Sequence, residues 1–522
     1  MPHDNPLKKK QREVVLQNLC ERKKKLAARR KTAREINQPT GQPNGQRTPR
    51  SGRTTNRRIP LKTTDQEREA RTETAVEQAR LIAAQLPTLL RRLSRIPDPR
   101  QPGKVKYGMT LLMVYGILCF VLQISSRRNA NDVLTWPQFE ANLRTLFPDL
   151  ETLPHADSLF RVLRDMGENV QEIEQALIDL VQKLIRQKKF RRFLINNCYP
   201  IALDGSRKTT FNNLVNEALL QKRISGSEAQ GDAQYEYYIY VLEASICLHN
   251  GMVIPLMSEF LDFRAGDGDR NKQDCEMRAF YRLTERIKQA FPRLPIMLLL
   301  DGLYANGPII EHCLSYQWQF MIVLKDGSLP SAWDEYRGIL PLYKNNEKHQ
   351  VWNGRKQIFR WVNGIRYEYG ANNSKHLTLN VVVCHETWQE IGQDAQDITR
   401  ESKHVWLSSR PLHADNVHER CNLGGRHRWG IEAGFLVEKR QGYHYEHSFA
   451  QDWNAMRGYH YLMRLGHLIN TLMRFSSTFA KKISELGVRG CIRFIRESLV
   501  GPWFEPKTIT ERLRQPFELH LI

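Results

Sequence analysis

PIMLLLDGLYANGPIIEHCLSYQWQFMIVL, residues 295–324, decides the fold. An apolar run, Pro295–Leu300, stops at Asp301-Gly302; a helical stretch from about Gly307 to Ser315 follows, and a second apolar run, Phe320–Leu324, closes the unit. Strand, helix and strand in that order imply a right-handed crossover between parallel strands buried on both faces. Working back from Pro295, a second helical stretch, Asp274 to Ala290, is preceded by short β-branched or aromatic runs: Pro200–Leu203, Tyr235–Leu248 and Met252–Phe260. His249-Asn250-Gly251, between the last two, reads as a hairpin turn. The expected product is an α/β protein with a mixed (α+β) sheet. It opens as an antiparallel meander, continues through two crossover units and carries helices on its faces.

Working forward, residues 326–403 break the rhythm. Asn353-Gly354 and Asn363-Gly364 each stand between strand-like runs (His349–Trp352, Gln357–Val362, Ile365–Tyr369), and both predict hairpins. The segment is therefore a β-rich insertion rather than another crossover. Strand character returns at His404–Ser408, and a helix is expected from about Arg426 to Lys439. After His447 the chain is helical again, most clearly over Met456–Phe475. On the N-terminal side, apolar residues recur at helical spacing from Thr64 to about Lys189, with Asp132 and Asp157 placed as helix N-caps. The run Met109–Ile124 is apolar but only about sixteen residues long, broken by Gly116 and Gln123. A bilayer needs roughly 18–20, so this is a buried helix.

The composition, 41% hydrophobic and 26% charged over 522 residues, excludes a wholly disordered chain. Of the formal net charge of +22, +14 falls in residues 1–62, where 8 Lys and 10 Arg face Asp4, Glu13, Glu21 and Glu35. A basic, Gln/Pro/Gly/Thr-rich arm on a milder body predicts a polyanion partner, nucleic acid first and anionic membrane second. As phosphate binder it adds on-rate and salt dependence; as a solubilising tail it does neither. Nine cysteines, odd in number and without a C-x-x-C pair, fit free thiols in a reducing compartment. The N-terminus has no apolar run of the signal-peptide kind.

Two aspartates share one context: Asp204 ends Ile201-Ala202-Leu203 and Asp301 ends Ile296–Leu300, each followed by glycine. Positions just beyond the strand ends of an α/β sheet line the crevice where ligands bind, although Asp-Gly also makes plain turns. A third element lies in Arg428-Trp429-Gly430-Ile431-Glu432 and onward to Lys439. Spacings of four and seven residues put Arg428, Glu432 and Lys439 on about one face of a helix, given about 3.6 residues per turn. Trp429, Ile431 and Phe435 would pack toward the core. An ordinary surface Arg–Glu pair would show the same spacing.

Together these residues resemble the bacterial insertion-sequence DDE transposases with a Y-x2-R-x3-E-x6-K signature and a β-rich insertion in an RNase H-like core. The matching residues are Asp204 in I-A-L-D-G-S, Asp301 in L-L-L-D-G-L-Y-A-N, and Arg428, Glu432 and Lys439 in R-W-G-I-E-A-G-F-L-V-E-K; Gly425 stands where the signature has Tyr. The resemblance spans roughly Thr64 to Phe475. Beside the basic flexible arm (1–62), which lies outside it, the resemblance implies a helical DNA-binding N-terminal domain (63–193), a catalytic core (194–325 and 404–447), the insertion (326–403) and a helical C-terminal region (448–522). It also implies metal-dependent cleavage at the element's ends and transfer of the 3′ ends to target DNA. Partners would be the double-stranded terminal repeats and target DNA, bound by a homodimer assembled on DNA, with no membrane, in the cytoplasm at the nucleoid.

The chemistry explains the carboxylates. Two divalent ions about 3.5–4 Å apart can activate the attacking water or 3′-hydroxyl and stabilise the leaving oxygen. Mg²⁺ (or Mn²⁺) takes oxygen ligands and keeps several waters, so Asp204 bridging two ions, with Asp301 and Glu432 completing one each, suffices. Arg428 and Lys439 would then bind phosphates flanking the scissile bond. Two rival functions keep the same fold: a catalytically inactive, transposase-derived DNA-binding protein, and an RNase H-like nuclease without strand transfer.

Other groupings are weaker. His413, His418, Cys421 and His427 match no standard zinc spacing, and Asp262, Asp267 and Asp269 lack the final Glu of an EF-hand. No Walker loop or Gly-x-Ser-x-Gly occurs. Trp352 and Trp361 could stack on a displaced base or pack the insertion. Tyr304 and Asn306 could orient a phosphate, or Asn306 could simply cap the next helix. Tyr443, His444, Glu446 and His447 receive no role.

Overall fold

The computed structural model describes residues 61–147, 153–224, 234–263, 274–343, 345–391 and 397–522. The basic arm lies outside the described residues except for its last two, as do Asp267 and Asp269. Among the described residues six helices come first: α1 (Thr64–Leu93), α2 (Met109–Val121), α3 (Arg127–Leu134), α4 (Pro137–Leu146), α5 (Ala156–Asp165) and α6 (Gln171–Arg186). Thr63 and Gln66 form a capping box that starts α1. The expected caps Asp132 and Asp157 instead lie inside α3 and α5. Ser126 caps α3 through the Asn129 amide and His155 caps α5, while Asp157 pairs with Arg127 at 3.3 Å.

The next segment supplies β1 (Tyr199–Phe211), β2 (Leu220–Arg223), β3 (Tyr235–Cys247), β4 (Val253–Phe260), α7 (Glu276–Ala290), β5 (Ile296–Leu300), α8 (Gly307–Ser315) and β6 (Gln319–Val323). The insertion brings α9 (Pro330–Ile339), β7 (Glu347–Trp352), β8 (Arg355–Tyr369), β9 (Lys375–Ile391) and β10 (Asp397–Ser408), and α10 (Trp429–Arg440) follows. All ten strands form one sheet in the order β2-β3-β1-β5-β6-β10-β9-β8-β7, with β4 beside β2 on the outer side of β3. β1, β5 and β6 are mutually parallel, and the other pairings are antiparallel. Mixed α/β architecture with flanking helices is thus the fold.

The insertion does not close on itself. β10 pairs with β9 along its whole length and with β6 through Trp406–Ser408, so the insertion extends the central sheet as its far edge. Asn353-Gly354 makes the expected hairpin between β7 and β8. Asn363-Gly364 does not turn the chain: it is a bulge within β8, where the register to β9 shifts between Val362 and Ile365. Gly364 takes φ +79°, and the Asn363 side chain accepts from Leu412 N (2.9 Å) and donates to Leu412 O (2.8 Å). Bulges and tight turns both need this backbone conformation, so the dipeptide cannot tell them apart.

Three C-terminal helices, α11 (Trp453–Arg474), α12 (Ala480–Val500) and α13 (Pro506–Arg514), return to the N-terminal block. α11 packs on α2, α5, α6 and β4, and α12 and α13 pack on α1 and α4. The contact of α11 with α2 is close: a Cβ on Gly116 would stand 2.6 Å from Leu462 Cδ1, and one on Gly466 2.6 Å from Phe120 Cβ. Nearly all of α2 is buried here, as its apolar sequence demands. Among the described residues no helix is long and apolar enough to cross a membrane.

Candidate active site

β1 and β5 run parallel in one constant register, from Tyr199 opposite Ile296 to Ala202 opposite Leu299. Two residues further along each chain stand Asp204 and Asp301, so adjacent strands bring both carboxylates to one level of the sheet; β5 ends there as expected, but β1 runs on to Phe211 in its ladder with β3, so Asp204 lies within the strand rather than at its end. Asp301 also ends its strand as a turn residue: its Oδ1 accepts from Leu303 N at 2.8 Å and caps a short 3₁₀ turn.

Glu432 reaches Asp204 from above. The backbone enters α10 through a π-turn (Glu419–Gly424) and a 3₁₀ turn (Gly425–Arg428), so the regular helix starts at Trp429 rather than near Arg426. α10 lies over β1, β3 and β4. Arg428 Nη2 donates to Glu432 Oε1 at 2.8 Å, and Nη1 lies 3.9 Å from Asp204 Oδ2. The guanidinium is 6% exposed, and its Nε finds no hydrogen-bond partner. It therefore joins the two carboxylates and partly neutralises them. Burial pushes the Asp204 carboxyl up to about 6 against the pull of Arg428, and Glu432 and Glu276 push the same way.

Asp204 and Gly205 point to opposite faces of β1, as neighbours in a strand must. Beneath Gly205 lies a group that sequence reasoning missed. Glu276, the first residue of α7, accepts from Tyr240 Oη at 2.8 Å and from Tyr304 Oη at 2.6 Å. Burial and this carboxylate push both phenols up, so both remain protonated donors. The assembly fills the space under the strand: a Cβ on Gly205 would stand 2.3 Å from Tyr240 Oη and 2.7 Å from Glu276 Oε2. No sequence period links residues 204, 240, 276 and 304; the only local hint is Glu276 in a first helical turn, where carboxylates are common.

The other expected residues are placed as follows. Lys439 sits in the last turn of α10, 3.5 Å from Glu446 and over the Tyr445 ring, on the far side of two helical turns from Glu432. Ile431 and Phe435 are buried as expected, whereas Trp429 is 60% exposed, because it opens the helix and stacks on the Arg428 guanidinium instead of the core. A Cβ at Gly425 would stand 2.8 Å from Trp406 Nε1, so the indole of β10 fills the space a side chain there would need. Asn306 caps α8 by accepting from Ile309 N. Trp361 is buried in the insertion, and Trp352 lies against Arg426 and His418.

Among the described residues no three His, Cys, Asp or Glu side chains are close enough together to hold a metal ion. That holds for His413, His418, Cys421 and His427: His418 bonds to Gln350 and Asn422, and Cys421 is buried. It holds equally for Asp204, Asp301 and Glu432, two of which share Arg428 instead.

Fold and site together define a mixed α/β protein with one aspartate inside a long strand, a second at the end of the parallel strand beside it, and a glutamate on a covering helix joined to the first through a buried arginine. Residues 90–181, within the helical block, match the protein-family model described as DDE_Tnp_1-associated, a description that points toward the DDE-family transposases. No curated protein matches it.

Proposed function

We propose that the chain is the DNA transposase of an insertion sequence, binding the element's ends, cutting them and joining the 3′ ends to target DNA. The observation that carries this is the shared register of Asp204 and Asp301, with Glu432 tied to Asp204 through one buried arginine. The meander and parallel pair β4-β3-β1-β5-β6 support an RNase H-like core, and the match at residues 90–181 supports the family.

The chemistry of the donor set, three carboxylates with no sulfur or imidazole among them, suits Mg²⁺ or Mn²⁺, whereas its present spacing does not close around an ion, so binding would require the three side chains to draw together. Asp204, Asp301 and Glu432 would hold the ions. When bound, two such ions supply an activated nucleophile and stabilise the leaving oxygen. The residues' own part is to bind and orient. Arg428 would exchange its carboxylates for a phosphate beside the scissile bond, and Lys439 would bind another as a point charge. Two ends must be processed together, which favours a homodimer on DNA, and DNA as substrate favours the cytoplasm at the nucleoid.

The test uses the full-length protein, a plasmid carrying the DNA that flanks its own gene, and Mg²⁺. Asp204→Asn, Asp301→Asn and Glu432→Gln are each expected to abolish cleavage while binding to the flanking DNA survives. Near wild-type cutting by any one of them removes that residue from the site. Joined products separate a transposase from a nuclease that only cuts.

A further inference from the structure

Lys325 stands two residues past the end of β6, the strand next to β5. β5 and β6 run parallel and end at one level, just before Asp301 and Lys325, with Asp204 at the corresponding level of the longer parallel strand β1. The lysine stem lies across Gly302, the residue after Asp301: a Cβ there would stand 2.9 Å from Lys325 Cε and 3.0 Å from its Cδ and Cγ. The glycine thus makes room for the stem, which runs beside Asp301 into an open cleft of about 580 Å³ between the ends of β5 and β6, strand β10 and the start of α10.

Lys325, Lys403, Arg426 and Arg428 line this cleft, against only Asp301 and Asp326. Three of the four cations are already matched. Lys403 pairs with Asp326 at 2.6 Å, Arg426 with the buried Glu386, and Arg428 with Glu432. Lys325 has no ion-pair partner among the described residues, and it is the cation nearest the backbone that follows Asp301. An exposed lysine normally sweeps a wide volume; this one has its stem laid along a neighbouring strand end.

We propose that Lys325 holds a backbone phosphate of the DNA strand entering this cleft, on the Asp301 side of the site. This rests on the transposase reading, and adds a contact made from β6 rather than from the helix carrying Arg428 and Lys439. The competing account is a solvated lysine that merely covers a glycine.

The experiment compares the full-length wild type with Lys325→Met, Lys325→Arg and Gly302→Ala, using the flanking DNA as duplex and as plasmid. Lys325→Met keeps the stem and loses the charge. It should make the slope of log affinity against log salt shallower by about one, as for the loss of a single phosphate contact. Its Mg²⁺-dependent cleavage should fall about tenfold to a hundredfold, the range for one charge-assisted hydrogen bond. Lys325→Arg should restore most of both. Gly302→Ala, which displaces the stem without touching the charge, should lose part of the cleavage. Wild-type slope and rate in Lys325→Met, in a protein that itself cuts this DNA, overturn the proposal alone. If the wild type neither binds nor cuts the DNA, the transposase reading fails and this contact with it.

Discussion

Replacing Gly205 with alanine tests the floor of the site. The new methyl would stand 2.3 Å from Tyr240 Oη, 2.4 Å from Tyr240 Cε1 and 2.7 Å from Glu276 Oε2, all well inside van der Waals contact. A ring edge cannot yield as a flexible chain end does, so either Tyr240 retreats or β1 bows away. Retreat breaks the 2.8 Å bond from Tyr240 to the Glu276 carboxylate, worth about 1.5–3 kcal/mol as a bond to a charged group. Overpacking adds about 1–3 kcal/mol. The sum, about 2.5–6 kcal/mol, should lower Tm by roughly 2–6 °C, at about 2.1 cal/mol/K of unfolding entropy per residue over a chain of this size. Bowing instead moves Asp204, the adjacent residue, and cleavage falls further than stability does. A double-mutant cycle separates the effects: in a Tyr240→Ala background the clashing atoms are gone, and Gly205→Ala should cost less than about 1 kcal/mol. Thermal denaturation of the four proteins gives the coupling. An equal cost of Gly205→Ala in both backgrounds would falsify the packing argument.

Two further predictions concern protons. The Asp204 carboxyl is raised from 3.8 to about 6, so between those values the folded chain holds a proton that the unfolded chain has released, and ionised Asp204 costs stability above them. Asp204→Asn should therefore stabilise the protein at pH 7.5 by about 1–3 kcal/mol while abolishing cleavage; the gain in Tm should shrink as pH falls from 6 toward 4, and a gain that grew instead would reverse the assigned sign. Burial holds the His427 imidazole down from 6.5 to about 4, so its contribution is present above pH 6.5 and is lost as pH falls toward 4. His427→Gln should flatten the fall of Tm over that window, and an unchanged profile would mean that His427 titrates freely in the folded chain.

Much of this site was legible in the sequence for one physical reason. Strands buried on both faces read as unbroken apolar runs, so the residue that stops each run marks a sheet edge. That rule held for Asp301, which follows the last residue of β5, but at Asp204 only the apolar character stops, and β1 itself continues to Phe211. Helical spacing found Arg428 and Glu432, but it could not say that Arg428 turns inward to Asp204, which is a contact between residues 224 positions apart. Glu276, Tyr240 and Lys325 were invisible because each is defined by what lies opposite it in space, and Tyr304, singled out as a phosphate contact, instead donates to Glu276. Trp429 was misplaced by reasoning from residue type. At the first position of α10 an indole can rest on a guanidinium, and 60% of it stays in water. Asn363-Gly364 was misjudged because positive φ serves bulges as well as turns.

The helix that carries Glu432 is anchored from below by a second carboxylate six residues on. Glu438 is fully buried and bonds to Arg464 Nη1 at 3.0 Å and His467 Nδ1 at 2.6 Å on α11. Arg464 Nη2 also pairs at 3.1 Å with Glu243 of β3, the residue opposite Asp204 in the β1–β3 ladder. Burial alone would push the Glu438 carboxyl up, yet Arg464 and His467 hold it below the usual carboxylate range. Breaking one side of such a buried pair costs about 3–5 kcal/mol, far more than a surface pair, so rolling α10 out of this register is expensive. Adjustment at the site therefore falls to side chains. The link at the surface is the Arg428 guanidinium, which has one short bond to Glu432, one long approach to Asp204 and an unpaired Nε. The proposed metal binding therefore requires exchange of that guanidinium for cations with the backbone of α10 held fixed.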